Sequence, residues 1–163
     1  QSSNIINETY NFENSKLVSD GNSIFISNNK NEFYSIDVKT GTTNWLNDIN
    51  SNITPVIIGN LIFTVSNEGY LYVIENTNGN IVRVNDLYKI YNEKKRKNVY
   101  PVGFVIGYKK LYLTNTDGKM IIVDLQNGNV LKTEKVSSNL VSKPFIFNKN
   151  LFLIRNGSII QYN

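Results

Sequence analysis

Three acidic residues recur at a fixed distance from a glycine, a spacing that could serve either catalysis or turn formation. Asp37, Glu75 and Asp124 each stand four residues before a glycine, and these glycines are Gly41, Gly79 and Gly128. A catalytic acid pair of the glycosidase type needs two carboxyl groups roughly 5 to 10 Å apart across a bound sugar. A carboxylate that precedes a turn can instead accept hydrogen bonds from the backbone N–H groups of that turn. Because the pattern recurs and a catalytic acid is normally needed once, we interpret these acids and glycines as structural.

Other side chains that commonly carry catalysis are absent from the sequence. The 163 residues include no histidine and no cysteine, which removes Ser-His-Asp triads, histidine bases, thiolate catalysis and disulfides. No Gly-x-x-x-x-Gly-Lys phosphate loop is present. We therefore predict that the protein is not an enzyme, with no catalytic, cofactor-binding or metal-binding residues and no cofactor.

A run of basic residues, Lys94, Lys95, Arg96 and Lys97, lies in an insertion at about residues 87–99. The chain has a formal net charge of +4, so these four cations equal its whole net charge. Such a run could contact an acidic protein surface or an anionic membrane surface. A solvated loop that keeps a sheet edge soluble is the alternative. Nearby tyrosines make nucleic acid conceivable, but we do not expect it as a partner.

Residues 59–79 indicate which elements must position these groups. Leu61, Phe63 and Val65 alternate along a β-rich run, a glycine-containing turn follows, and a second run begins at Tyr70. Two such runs joined by a short turn predict an antiparallel hairpin. The pattern recurs along the chain, and its closing glycines at positions 41, 79 and 128 stand 38 and 49 residues apart. About four strands in a unit of roughly 40 to 50 residues are typical of a β-propeller blade.

The predicted fold is therefore all-β, a propeller with four-stranded antiparallel blades, of which about four are present. We expect residues 1–163 to form a single partial propeller domain. Its predicted parts are the end of a preceding blade (1–19), three repeats (20–58, 59–106 and 107–147) and C-terminal strands (148–163).

The repeat resembles that of the pyrroloquinoline-quinone (PQQ) enzyme superfamily. The resemblance is carried by residues 34–45, Tyr-Ser-Ile-Asp-Val-Lys-Thr-Gly-Thr-Thr-Asn-Trp. Residues 151–162 are similar to the C-terminal strands of the BamB family of outer-membrane assembly lipoproteins. The resemblance implies a quinoprotein-like propeller of eight blades, of which this chain is about half, and it implies that Trp45 packs between neighbouring blades.

The same resemblance implies a function and a location. Members of the BamB family are non-enzymatic scaffolds that support assembly of outer-membrane β-barrels, so we expect a BamA-like protein partner. The implied location is the periplasm of a Gram-negative bacterium, at the outer membrane, with the signal peptide and lipidated cysteine upstream of this sequence. In the family an acidic pair faces the partner from the loop before the equivalent of Gly21. The matching segment here is Asn11-Phe12-Glu13, which makes Glu13 the candidate contact residue.

Two other functions stay open at this stage. The chain could be a fragment of a PQQ-dependent dehydrogenase whose cofactor residues lie elsewhere, or a secreted propeller that binds a surface ligand. In every case an open half-propeller leaves two unpaired blade faces. We therefore expect that a missing N-terminal half or a second copy of the chain completes the ring.

Overall fold

The computed structural model describes residues 12–138 and 140–162, and the regular secondary structure within them is almost entirely β-strand. The described strands form four separate sheets, three of four strands and one of three. Neighbouring strands are antiparallel, and each sheet takes its strands in chain order. The prediction of an all-β fold with antiparallel blades is confirmed, and we number the sheets blades 1 to 4.

The strands and their bounds follow the repeats of the sequence. Blades 1 and 2 contain β1 (Val18–Ser19), β2 (Ser23–Ser27), β3 (Phe33–Asp37), β4 (Thr43–Asn47), β5 (Val56–Ile58), β6 (Leu61–Val65), β7 (Tyr70–Glu75) and β8 (Ile81–Asp86). Blades 3 and 4 contain β9 (Pro101–Gly107), β10 (Lys110–Asn115), β11 (Lys119–Asp124), β12 (Val130–Lys135), β13 (Phe145–Phe147), β14 (Asn150–Arg155) and β15 (Ser158–Tyr162). A short 3₁₀ helix (Leu87–Ile90) and helix α1 (Glu93–Arg96) lie between β8 and β9.

The blades are offset by one strand from the repeats that the sequence suggests. The first predicted repeat, 20–58, includes β5, but β5 pairs with β6 and so belongs to blade 2. Likewise β1 pairs with β2 and lies in blade 1, although its residues precede that repeat. Of the segment predicted as the end of a preceding blade, residues 1–11 lie outside the described part of the chain.

The apolar core lies between successive blades, because each sheet must bury both of its faces. Between blades 1 and 2 the buried residues are Phe25, Phe33, Trp45, Ile49, Ile62 and Ile74. Between blades 2 and 3 they include Phe63, Val65, Leu71, Val73, Leu111, Leu113, Ile121 and Val123. Between blades 3 and 4 they are Met120, Val136, Val141, Leu151 and Leu153. Strands buried on both faces read as nearly continuous apolar runs, as in Leu61–Val65, where only Thr64 is polar.

The repeated acids end the third strands of blades 1 to 3, where the turns to the fourth strands begin. Asp37 Oδ1 accepts hydrogen bonds from the backbone N–H of Lys39 (2.9 Å) and from the N–H (2.7 Å) and hydroxyl (2.9 Å) of Thr40. Asp124 Oδ1 accepts two backbone N–H groups in the same way, at 2.8 and 3.1 Å. The longer side chain of Glu75 instead accepts the side-chain amide of Asn78 at 2.6 Å. Each acid therefore lies in a different blade and holds its own turn.

In blades 2 and 3, the glycine that closes this turn also lies against the preceding blade. The Trp45 indole packs against Gly79, and its Nε1 donates to the carbonyl of Asn76 at 2.9 Å. Arg83, the equivalent residue one blade later, donates from Nη1 and Nη2 to the carbonyls of Gln126 (2.5 Å) and Leu125 (2.9 Å). The same position thus bridges two successive pairs of blades, first with an indole and then with a guanidinium.

A pair of glycine substitutions separates turn strain from packing between blades. Gly41 and Gly79 have φ of 71° and 76°, so alanine is penalised at both by about 1–2 kcal/mol for the left-handed backbone. A Cβ at Gly79 would lie 2.7 Å from the Trp45 ring, whereas a Cβ at Gly41 would meet nothing within 4 Å. We expect Gly79→Ala to lower the free energy of unfolding by about 1–3 kcal/mol more than Gly41→Ala, measured by chemical denaturation. Equal losses would contradict the packing of the indole on this turn.

The Asp37 turn also predicts a dependence of stability on pH. Hydrogen bonds from Thr40, with a smaller contribution from Lys39, lower the pKa of Asp37 below its usual value of 3.8. The ionised carboxylate therefore stabilises the folded chain above that usual value, and the contribution is lost as the pH falls through the lowered pKa. We expect the urea midpoint to fall less for Asp37→Asn than for the unchanged chain between about pH 5 and pH 2. Identical acid dependence of the two proteins would show that the turn does not hold an ionised carboxylate.

Candidate interaction surface around the basic insertion

The basic insertion (residues 87–99) links the outer strand of blade 2 to the inner strand of blade 3 and has a defined conformation. The Asp86 carboxylate caps the 3₁₀ helix by accepting the backbone N–H of Tyr88 at 2.9 Å. The Asn92 side chain caps α1 by accepting the N–H of Lys95, also at 2.9 Å. Asp and Asn are preferred at this position because their oxygens satisfy N–H groups that the first turn leaves free.

Apolar and aromatic residues anchor the insertion between blades 2 and 3. Leu87 and Tyr88 are fully buried in the same core cluster as the facing strands of these blades. The Tyr88 ring packs against Gly69 in the β6–β7 turn, and its hydroxyl donates to Asn115 Oδ1 of blade 3 at 2.6 Å. Tyr91 lies edge-on to Tyr88, with ring centroids 5.3 Å apart. The insertion therefore extends the core rather than standing free in solvent.

Burial also fixes the protonation of the two anchoring tyrosines. It raises the pKa of Tyr88 well above 10, and the neighbouring Tyr91 and Asp117 raise it further. Burial likewise raises the pKa of Tyr91, with the negative charge of Asp117 as the second cause. Both phenols consequently remain hydrogen-bond donors across the range of pH in which proteins are usually studied.

The structure divides the four cations of the basic run into two pairs. Arg96 donates from Nη1 to the Asp86 carboxylate at 2.7 Å and lies over the Tyr70 ring, 5.0 Å from its centroid. Lys95 Nζ lies 3.1 Å from Asp117 Oδ2. These two cations therefore hold the insertion against the blades.

The other two cations of the run, Lys94 and Lys97, are exposed. In the described part of the chain no ion pair includes either of them, nor Lys89 at the start of the insertion. An acidic partner surface could therefore pair with these ammonium groups without breaking an internal ion pair.

The net charge is less local than the basic run suggests. Residues 1–86 contain nine acids and four cations, a net charge of −5. Residues 87–163 contain four acids and thirteen cations, a net charge of +9. These values add to the overall +4. The residues outside the basic run have no net charge in total, because an acidic N-terminal half balances a basic C-terminal half.

A cleft of about 710 Å³ lies beside α1, lined by Arg96, Lys97 and Tyr100 on one side and by polar turns of blades 1 and 2 on the other. Side chains in these turns are already organised by hydrogen bonds. Asn67 Nδ2 donates to Asn50 Oδ1 at 2.9 Å, and Asn50 Nδ2 donates to Glu68 Oε1 at 2.5 Å. A surface with fixed amides, a carboxylate and basic groups suits a polar segment of a partner protein.

Glu13, the acid that the resemblance suggested as a partner contact, lies on this same face. Its carboxylate accepts from Asn52 Nδ2 at 2.5 Å, and its backbone N–H donates to Asn29 Oδ1 at 3.1 Å. Asn29 also lines the cleft. The carboxylate thus tightens the link between blades 1 and 2 while remaining exposed. Asn11, its neighbour in the matched segment, lies outside the described residues.

Sequence reasoning did not identify the acids that hold the basic run. Asp86 is 10 residues from Arg96, and Asp117 is 22 residues from Lys95. The one local signal is the cap spacing, Asp86 before the first helical turn and Asn92 three residues before Lys95. It predicts short helices but does not predict which cation meets which acid.

Comparisons with known proteins agree with this architecture. Residues 5–85 match the model of a family described as outer membrane protein assembly factor BamB. The fold is similar to BamB from Moraxella catarrhalis, with a TM-score of 0.70 and 13% identity over 90% of this chain and 41% of that one. The chain has a β-propeller fold, and its residues 5–85 are similar to the BamB family. It spans about two-fifths of the length of that BamB structure.

Two further solved structures share the fold. The computationally designed Ika4 protein matches with a TM-score of 0.71 and 12% identity, over 95% of this chain and 93% of that one. The β-propeller domain of Myceliophteria thermophila Cps50 (Swd1) matches with a TM-score of 0.63 and 12% identity, over 83% of this chain and 46% of that one. At such identities these structures show the fold alone, and they confirm the predicted propeller.

Other comparisons and searches gave negative results. Among curated proteins, none matches this chain significantly. The described residues include no helix that is long and apolar enough to span a membrane. In the same part of the chain, no three acidic, histidine or cysteine side chains are grouped so as to hold a metal ion.

Removal of one hydroxyl tests whether the insertion is anchored. In Tyr88→Phe the buried Asn115 Oδ1 loses its donor, so we expect a loss of about 1–3 kcal/mol in the free energy of unfolding. The matched control is Tyr100→Phe, because Tyr100 is 52% exposed and its hydroxyl donates to the carbonyl of Lys97, an exposed residue. We expect the control to remain within about 0.5 kcal/mol of the unchanged chain in the same urea titration. A neutral Tyr88→Phe would contradict the anchoring role.

Proposed function

We propose that this chain is a non-enzymatic, protein-binding propeller segment that supports assembly of outer-membrane β-barrels. The observation that carries the proposal is the match of residues 5–85 to the family described as outer membrane protein assembly factor BamB. The proposed partner is a BamA-type assembly component, and the proposed location is the periplasmic side of the outer membrane in a Gram-negative bacterium. Recognition rather than chemistry is the proposed mechanism.

Two features support a binding role. The sequence contains neither histidine nor cysteine, which are common nucleophiles, bases and metal ligands. The basic insertion is a well-anchored element that presents Lys94 and Lys97 to solvent beside the polar cleft. A rigid scaffold that positions exposed loops is the usual arrangement for recognition.

We assign the partner contact to this face, with Lys89, Lys94 and Lys97 meeting acidic groups of the partner. Opposite charges across an interface chiefly accelerate association and fix its register. Glu13 is a second proposed contact on the same face, where it would accept hydrogen bonds from a basic or amide group of the partner. Because Lys95 and Arg96 hold the insertion internally, we assign them a positioning role.

The outer strand of blade 2 offers a second route for docking. On β8 the side chains of Ile81, Val82 and Val84 are 45, 58 and 47% exposed. The equivalent strand of blade 3, β12, instead carries several charged residues, which discourage pairing with another strand. A partner segment in extended conformation could therefore add to the β8 edge.

The direct test measures binding of residues 1–163 to the purified BamA-type component of the organism that encodes the chain. Charge reversal in Lys94→Glu/Lys97→Glu should weaken binding at least tenfold, equivalent to about 1.4 kcal/mol, and should reduce its dependence on salt. The matched control is Lys39→Glu/Lys110→Glu, which makes the same change in net charge. Lys39 and Lys110 are exposed and lie at turns on the opposite edge of the blades. We expect the control to bind like the unchanged chain.

Three outcomes would contradict the proposal. One is the absence of binding at tens of micromolar, and another is an equal loss in both double variants. The third is binding to vesicles of phosphatidylglycerol without binding to the protein component, which would assign the insertion to a membrane surface. Val82→Lys distinguishes the two docking routes, because it should weaken binding only if the partner adds a strand at β8.

A further inference from the structure

We propose that a groove between blades 2 and 3 binds a small aromatic carboxylate, that is, a planar ring that carries one acidic group. The groove has a volume of about 550 Å³. It is bordered by the β5–β6, β9–β10 and β11–β12 turns, at the edge of the blades opposite the basic insertion. It is therefore separate from the surface assigned to a protein partner, and its occupant is independent of the proposed function. We call it the blade 2–3 groove.

The walls of the groove are mainly apolar. Phe63 and Val73 lie deepest, at 4 and 3% exposed, whereas Ile58 and Val82 form the rim, at 44 and 58% exposed. Apolar clefts of roughly 300 to 1,000 Å³ are typical of small-molecule sites. Blade 2 also packs on blade 1, and blade 3 also packs on blade 4. The groove is therefore not an end face of the propeller.

Two cations border the groove, Arg83 on β8 and Lys109 in the β9–β10 turn. None of the described residues that line the groove is acidic. In the same part of the chain no carboxylate forms an ion pair with either cation. Glu75 and Asp124, which end nearby strands, hold their own turns. The charge of the groove is therefore complementary to an anion.

The guanidinium of Arg83 is held in one plane. Its Nη1 and Nη2 donate to the carbonyls of Gln126 and Leu125 at 2.5 and 2.9 Å. Its Nε is buried and has no hydrogen-bond acceptor among residues 12–138 and 140–162. A negative charge close by would stabilise this incompletely paired cation. The flat face of a fixed guanidinium is also a surface on which an aromatic ring can stack.

The interface between blades 1 and 2 indicates an aromatic occupant, because there the chain supplies the ring itself. Trp45 is equivalent to Arg83, and both donate to the backbone carbonyl that follows the repeated acid of the next blade. The indole is 9% exposed, and its ring lies 5.8 Å from that of Phe25. Phe63 is equivalent to Phe25 in the strand register and lines the groove. The arginine, however, places no ring beside it.

These features together specify the ligand. Apolar walls alone would suit many occupants, but the two cations disfavour a positively charged one. The equivalence with Trp45 favours a ring over a flexible acyl chain, which would also lose more conformational freedom on binding. In the arrangement that fits, the ring contacts Phe63 and the carboxylate lies toward Arg83 and Lys109.

Titration with indole-3-acetate, followed by NMR of isotope-labelled residues 1–163, tests this site. We expect the largest shifts at backbone amides of the groove, such as those of Leu61, Phe63 and Lys109. The expected Kd is below about 1 mM, an ordinary affinity for a ligand of this size. Tryptamine has the same ring with a positive charge, and octanoate has the same charge without a ring. Each should bind at least about tenfold more weakly.

Two substitutions test the contributions of the cations. Arg83→Trp places the residue of blade 1 at this position, so the new ring should fill the groove and abolish binding. Lys109→Gln should weaken binding about two- to fivefold, which is usual for loss of an exposed charge. The matched control is Lys149→Gln, because Lys149 is exposed at the equivalent turn of blade 4 with a similar φ (62° against 60°). It should bind like the unchanged chain.

A second pair of variants keeps the test decisive if Arg83→Trp does not fold. Ile58→Glu places a carboxylate at the rim of the groove and should abolish binding of indole-3-acetate by repulsion. Its matched control is Ile81→Glu. Ile81 is 45% exposed, against 44% for Ile58, and it pairs with Ile74 on the face of blade 2 turned toward blade 1. This control should leave binding unchanged.

Four results would overturn the inference. They are the absence of binding at about 5 mM indole-3-acetate, equally tight binding of tryptamine or octanoate, and unchanged binding by Ile58→Glu. The fourth is binding of the peptide Asp-Trp-Asp more than about tenfold tighter than indole-3-acetate, which would assign the groove to a segment of a partner protein. Binding to the BamA-type component is measured separately and tests the opposite edge of the blades, so failure of one proposal does not imply failure of the other.

Discussion

The structure depends on one constraint, which is that a single blade cannot bury both of its own faces. Ile62 and Ile74 are removed from water only because blade 1 packs on them, and the strands of blades 2 and 3 bury each other in the same way. Since burial of apolar area is the main source of stability, no blade is expected to be stable alone. Among residues 12–138 and 140–162, the first and last blades each pack on one other blade, and Phe147 and Ile159 of the last blade are exposed.

Polar contacts set the alignment of blades that apolar packing brings together. Trp45 and Arg83 occupy the same position in successive blades, and both donate to carbonyls in the turn of the next blade. An indole combines this donor with apolar burial, whereas the guanidinium supplies two donors and less apolar surface. Lys132 at the third equivalent position pairs with Glu134 in its own strand. The repeat thus preserves the position of the contact, while its chemistry changes from blade to blade.

The basic insertion shows how packing against a scaffold decides which charges of a basic run remain without an internal partner. Arg96 and Lys95 are paired with Asp86 and Asp117, and the buried Tyr88 fixes the segment between two blades. The backbone that carries the exposed cations is therefore held in one conformation, which would reduce the entropy lost in the proposed binding of a partner. A flexible loop of the same composition would offer more charges but would lose more conformational freedom on association.

Local sequence patterns by themselves determined the strands, the turns held by Asp37 and Asp124, and the propeller class, because alternation and turn chemistry act over a few neighbouring residues. They did not determine that β5 joins blade 2, since a strand can pair on either side until the sheets are assembled. Nor did they show that Arg96 meets Asp86, or that Tyr88 reaches Asn115, 27 residues away. Only the tertiary structure decided which side chains meet, because such contacts depend on how successive blades are placed around the axis.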